Sequence, residues 1–292
     1  MNADPLLAAA LRHWGARSVP FTESPGSNPF LSPAWEQALR LLNQTAALRS
    51  LMLLVGDNGA GKTALVAYWL ERLEPKAYLP LVITHATLSA SGLLAVLLRK
   101  LGQPASLIRS RNLARLEDAL KELGRLTPTL VLDEAQLYPP GALDEMRLLL
   151  GLNLARQPTF ALVLVGDLYL QDTLRLQQHK ALYSRISAHC QLPLLDRAQI
   201  EPYLTHGWRQ VGLERPCLSA AALDLLAGAS NGNPRLLNLL ARAAWIAAAQ
   251  AGVNTIGPEH MQTALNLVPT ARDKIVCGWG STRRSGMGTA AE

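Results

Sequence analysis

Cysteine is scarce in this chain: Cys190, Cys217 and Cys277 are the only three in 292 residues, and they are far apart. No pair has the few-residue spacing of metal ligands, so a zinc site is not expected, and the thiols fit buried or incidental positions in a reducing compartment. Long uncharged apolar runs are missing too. None reaches the roughly eighteen residues that a membrane span needs, and the N-terminus lacks the basic-then-apolar layout of a secretory signal. A cytoplasmic protein is the expectation. No internal repeat is evident. With 49% hydrophobic residues the chain can build one large core or two ordinary ones, which excludes a disordered protein. The net charge of +6 permits contact with nucleic acid or an anionic surface, and equally fits ordinary solubility.

The strongest positive signal is Gly56-Asp57-Asn58-Gly59-Ala60-Gly61-Lys62-Thr63, preceded by the apolar run Leu51–Val55 and followed by a helical run from Ala64 to Leu70. A strand feeding a glycine-rich loop and then a helix is the layout of a phosphate-binding loop. Glycines let successive N–H groups turn toward one anion, and the helix adds the positive end of its dipole. In such a loop the lysine reaches the β/γ-phosphates and the Ser/Thr hydroxyl ligates Mg2+, which assigns those roles to Lys62 and Thr63. ATP and Mg2+ are therefore the expected ligands, with residues 56–64 as their cradle.

The rest of the chain fits that start. Apolar strands are expected at 80–84, 129–133, 160–165 and, more briefly, 190–194, alternating with helical segments, which predicts a parallel sheet covered on both faces. Ser32-Pro33 reads as an N-cap followed by proline at the first helical position. After Asp196 strand signals stop, and amphipathic segments near 197–211, 218–228, 234–251 and 258–267 predict a small helical domain. The expected organisation is a lead-in at 1–29, an α/β domain at 30–195, a helical lid at 196–268 and a flexible tail at 269–292, too poor in apolar residues to fold alone.

Hydrolysis needs a metal anchor and a group that orients water, both at the C-terminal ends of neighbouring strands. Asp133 and Glu134 meet that requirement: Asp133 ends an apolar strand and would hold Mg2+ through its water shell, while Glu134 would polarise the attacking water. The next strand runs into Gly166-Asp167, so Asp167 is either a group facing the γ-phosphate or a solvated loop acid. Arg185, near the end of a helical stretch, is by default a surface arginine. Arg235 follows Asn233-Pro234 at another helix start, where Asn233 reads as the cap.

These positions together resemble the AAA+ ATPases, and more narrowly the bacterial group containing the secretion ATPase ExeA and the transposition regulators TniB, TnsC and MuB. The resemblance spans about residues 10–268. It rests on Walker A at Gly56–Thr63, Walker B at Leu130–Glu134, Glu134-Ala-Gln136, His13-Trp-Gly-Ala-Arg-Ser-Val-Pro-Phe21, Leu143-Asp-Glu-Met-Arg-Leu148, Ser184-Arg185-Ile186 and Gly232-Asn-Pro-Arg235. It implies a three-layer α/β ATPase with a C-terminal helical lid. It also implies that Arg185 is an arginine finger acting on a neighbour's nucleotide, that Arg235 is a lid residue contacting ATP, and that the chain forms an ATP-dependent homo-oligomer. Two departures stand out: Asp167 takes the place of the group's usual glutamine, and Leu150-Gly151 replaces a Thr-Asn pair.

Three functions compete on these grounds. A DNA-bound regulator that recruits or activates a transposase, with accessory transposition proteins, is implied by the resemblance. It gains support from the 99–125 segment, where Arg99, Lys100, Arg109, Arg111, Arg115, Lys121 and Arg125 face three acids, a net +4. Those side chains either grip double-stranded DNA phosphates or line a solvated helix face. An ExeA-like ATPase assisting assembly of a secretion apparatus is the second function. A nucleotide-gated scaffold or helicase loader with little turnover is the third.

Overall fold

The computed structural model describes residues 4–22, 28–84, 88–151, 158–214 and 217–268; the expected tail, with Cys277 and the Arg283-Arg284 pair, lies outside them. The chain divides into two compact units, an α/β unit over 31–193 and a helical unit that joins the residues before 31 to those after 193. Helix α1 (Pro5–Trp14) belongs to the second.

In the α/β unit, helix α2 (Pro33–Leu48) leads into strand β1 (Leu51–Gly56), the loop, and α3 (Lys62–Leu70). Ser32 caps α2, its Oγ accepting from the Trp35 amide at 3.3 Å. Then come β2 (Tyr78–Ile83), the helix pair α4 (Ala90–Lys100) and α5 (Arg109–Glu122), β3 (Thr127–Leu132), α6 (Pro140–Leu150), β4 (Ala161–Gly166), α7 (Leu168–Arg175), the single turn α8 (Lys180–Tyr183) and β5 (Ile186–Leu192). The five strands form one parallel sheet in the order β2-β3-β4-β1-β5. The alternation of strand and helix signals predicts such a parallel sheet, and the order found is compatible with the three-layer α/β fold that the resemblance implies.

β1, β3 and β4 are buried along their whole length, as continuous apolar strands covered on both faces must be. The edge strands read differently. β2 carries Pro80, whose missing N–H is tolerated at an edge. β5 alternates exposure along Ile186-Ser-Ala-His-Cys-Gln-Leu192 and starts four residues before the expected 190, because an edge strand with one wet face lacks a continuous apolar signature. α5 starts at Arg109 with a polar first turn, Arg109-Ser-Arg-Asn112.

The helical unit contains α1, α9 (Arg197–Gln210), α10 (Ala220–Ser230), α11 (Pro234–Gln250) and α12 (Pro258–Leu267) around one apolar cluster that includes Ala10, Trp208, Leu237 and the fully buried Trp245. Trp14 and Phe21, from the described residues before 31, pack into it. The Trp14 indole N–H donates to the Trp245 carbonyl at 3.1 Å, and the Trp14 and Trp245 rings stack at 6.2 Å. Phe21 sits edge-on to Trp208 at 4.5 Å, its backbone in the left-handed region at φ 55°, and the Arg242 guanidinium donates to its carbonyl at 2.9 Å. Gly207 faces the Phe21 ring with no room for even a methyl group. The aromatic opening of the chain is thus core material for helices two hundred residues away. Phe21→Ala should destabilise the helical unit by about 3 kcal/mol through the cavity it leaves, read as a shifted denaturant midpoint with an unchanged slope.

Candidate nucleotide site

β1 lies between β4 and β5, so the loop that leaves its C-terminal end sits where the strand order reverses, the usual ligand crevice of an open parallel sheet. The register places neighbouring strand ends beside it: Val55 pairs with Gly166, and Leu132 with Leu164. Asp133, Glu134 and Asp167, each just past a strand end, therefore meet the loop.

The loop itself is shaped by glycine. Gly59 and Gly61 adopt φ of 87° and 98°, accessible to glycine and strained for other residues. A Cβ on Gly56 would lie 2.6 Å from the Leu192 carbonyl oxygen of β5, so that position must stay bare for the strands to close. Lys62 is buried at 8% exposure, its ammonium donating to the carbonyls of Gly56 at 2.8 Å and Asp57 at 3.0 Å. Burial pushes its pKa below the usual lysine value, opposed by the negative charges of Glu134, Asp133, Asp167 and Asp57. The Thr63 hydroxyl donates to Asp133 Oδ2 at 3.1 Å. A hydroxyl and a carboxylate in contact at a glycine loop are hard oxygen donors of the kind Mg2+ takes, so the residues present fit a magnesium nucleotide.

Glu134 follows Asp133 in the left-handed region, φ 50° and ψ 44°, an uncommon conformation for a side chain of its size. Its amide donates to Asp133 Oδ1 at 3.0 Å and its carboxylate is exposed. Gln136 donates its side-chain amide to Glu134 Oε2 at 2.6 Å and accepts the Asp167 backbone N–H at 3.3 Å. Asp167 caps α7, its Oδ1 accepting from the Leu170 amide at 3.2 Å, so one of its two carboxylate oxygens is engaged in holding a helix start.

Two neighbours of the loop carry no motif signal. Trp35 on α2 lies 3.5 Å from where a Gly61 Cβ would stand, and its ring tilts toward Tyr68 at 6.2 Å. Tyr68 in turn lies under the Arg72 guanidinium at 3.5 Å. Titrating Mg-ATP should give a saturable change in tryptophan emission that Trp35→Phe removes, since Trp35 lies against the loop.

The remaining expected residues are scattered. Arg185 is exposed, its guanidinium 3.4 Å from where a Gly151 Cβ would lie, at the C-terminal end of α6. Arg235 is exposed in the first turn of α11 in the helical unit, its amide capped by Asn233 Oδ1 at 3.1 Å. All seven basic residues of the 99–125 segment, Arg125 included, are exposed. Arg109 is nonetheless engaged, donating at 2.7 Å to Glu145, which is only 3% exposed. The Arg115 guanidinium donates to the Pro104 carbonyl at 2.9 Å, and Lys121 pairs with Asp118 at 3.5 Å. The segment is thus partly structural: breaking the Arg109–Glu145 pair would leave a buried carboxylate without its cation.

Residues 46–174 match the family model described as an AAA domain. The α/β unit has the P-loop fold of such domains. Over 275 residues the chain is 30% identical to general secretion pathway protein A of Aeromonas hydrophila, a match covering 89% of this chain and 49% of that protein. The chain thus spans about half the length of that relative. Among solved structures, Cdc6p from Pyrobaculum aerophilum superposes with a TM-score of 0.68 at 23% identity, covering 85% of this chain and 70% of that one. The Aeropyrum pernix ORC1 protein, solved in complex with DNA, gives 0.63 at 22% identity over 85% and 66%. Drosophila ORC bound to DNA gives 0.65 at 18% over 97% and 72%. At these identities the likeness concerns the fold. No helix among the described residues is long and apolar enough to cross a membrane.

Proposed function

We propose that the chain binds and hydrolyses Mg-ATP at residues 56–64, as the nucleotide-driven subunit of an assembly. The observation that carries this reading is the contact of Thr63 with Asp133 at 3.1 Å, beside an exposed Glu134 and a buried Lys62. Bound Mg2+ would neutralise phosphate charge as the γ-phosphoryl group leaves. Thr63 and Asp133 would hold the metal, and Lys62 would exchange its two carbonyl partners for phosphate oxygens. Glu134 accepts a proton from the water whose oxygen attacks phosphorus, while the bridging P–O bond breaks toward ADP. Phosphate release measured with Mg2+ and with EDTA tests it: turnover with metal and none without is expected, and equal rates would overturn it.

The similarity to general secretion pathway protein A, across most of this chain, supports a role in assembling a secretion apparatus. A DNA-bound regulator of transposition is the second reading, supported by exposed Arg99, Lys100 and Arg111 and by the resemblance to TniB, TnsC and MuB. The two separate in one experiment. With ATP present, double-stranded DNA affinity that falls steeply with salt and drops when Arg99, Lys100 and Arg111 are replaced supports the DNA reading; no binding removes it.

The resemblance assigns Arg185 to a neighbour's nucleotide and Arg235 to the subunit's own. Arg185→Ala should lower hydrolysis at least tenfold with ATP affinity unchanged, whereas loss of both would count against a finger acting in trans. Its exposure at the end of α6 is compatible with presentation to a second subunit.

A further inference from the structure

Glu134 ends in an exposed carboxylate on a residue with uncommon backbone angles, an arrangement that leaves the proposed base free to swing unless something holds it. Gln136 is that something. Its Nε2 donates to Glu134 Oε2 at 2.6 Å while its Oε1 accepts from the Asp167 amide at 3.3 Å. The partners fix the orientation of the amide: a flip would set its oxygen against a carboxylate and its NH2 against an N–H, two repulsive contacts in place of two hydrogen bonds. A carboxamide can donate from one terminal atom to a carboxylate and accept at the other from an amide, and Gln136 uses both ends. Glutamate, leucine or lysine at the same place keeps at most one of the two bonds.

The far end of the bridge is equally specific. A Cβ on Gly166 would stand 2.6 Å from Gln136 Oε1 and 2.7 Å from a Leu170 methyl, so the turn from β4 into α7 has room for Gln136 only because position 166 carries no side chain. With Oε2 taken, Glu134 keeps Oε1 for water.

We propose that Gln136 is the positioning residue of the hydrolytic base, tying the Glu134 carboxylate to the backbone of the β4–α7 turn so that a displacement of that turn moves the base. This rests on the reading of Glu134 as base. The coupling runs through one side chain, across the ends of two adjacent strands, and gives the Gly166-Asp167 position an influence on hydrolysis through its backbone, independent of the Asp167 carboxylate.

The test is a double-mutant cycle in single-turnover ATP hydrolysis, with the affinity for a fluorescent ATP analogue measured alongside. Gln136→Leu and Gln136→Glu are each expected to lower the rate about tenfold with affinity unchanged, and Gly166→Ala, which displaces Oε1, to do the same. In a Glu134→Gln background, Gln136→Leu should change the residual rate less than twofold, because there is no base left to orient. Equal fold losses in both backgrounds, or weakened nucleotide binding at an unchanged rate, would overturn the proposal. Glu134→Gln alone reports on the reading beneath it: if it matches wild type, base and bridge fall together, and if it is inactive the base stands whatever Gln136 does.

Discussion

Lys62→Ala is expected to lower ATP affinity at least a hundredfold, about 3 kcal/mol, while leaving the ligand-free protein as stable as wild type or more so. Both halves follow from the same surroundings. The ammonium is the cation among four carboxylates, those of Asp57, Asp133, Glu134 and Asp167, all of which act on its protonation. Without it a triphosphate would enter a cluster of negative charge, and Mg2+ alone would have to offset the repulsion. Yet burial lowers the Lys62 pKa, which means that the charged form is less at home in the folded chain than in water. At neutral pH that mismatch opposes folding, so removing the charge relieves a cost, set against the loss of hydrogen bonds to two carbonyls. Calorimetric titration of Mg-ATP and a thermal melt of the same preparation check the two halves separately. Lost affinity with a melting temperature equal to or above that of wild type is the expected pair.

The largest stability effect is expected at Gly232. Its φ is 73°, where alanine is strained by roughly 1–2 kcal/mol, and a Cβ there would overlap the Leu195 carbonyl group. The contact cannot relax by rotating a side chain, because the atom it meets is backbone. The same backbone is tied down, the Leu195 amide donating to the Gly232 carbonyl at 2.9 Å. Gly232 also sets the entry to α11, where Asn233 Oδ1 caps the first turn through the amides of Arg235 and Leu236. Gly232→Ala should therefore cost more than about 4 kcal/mol and lower the melting temperature of the helical unit, with Arg235 losing its fixed position. Denaturant unfolding followed through buried Trp245 measures it.

The loop, the sheet and the helices of the C-terminal unit are legible in the sequence because each is written locally. Glycine spacing, apolar runs and Ser, Asp or Asn caps at 32, 196, 219 and 233 act within a few residues. What the sequence conceals is what depends on partners distant along the chain. α1 reads as a lead-in because nothing between residues 5 and 14 says that Trp14 will meet Trp245. Arg109 reads as a free cation because Glu145, which engages it, is 36 residues away. Gln136 reads as a motif letter, since its bridge exists only once β3 and β4 lie side by side. The polar first half of β5 hides for a different reason: one wet face removes the hydrophobic run that betrays a buried strand.

The measurement closest to the central claim is the fate of one equivalent of labelled ATP on the wild-type protein and on Glu134→Gln, with saturating Mg2+. Conversion to ADP is expected on the wild type and intact, tightly held ATP on the variant, with at least a hundredfold between the two rates. ATP that stays intact on both, or is converted equally fast on both, would contradict it.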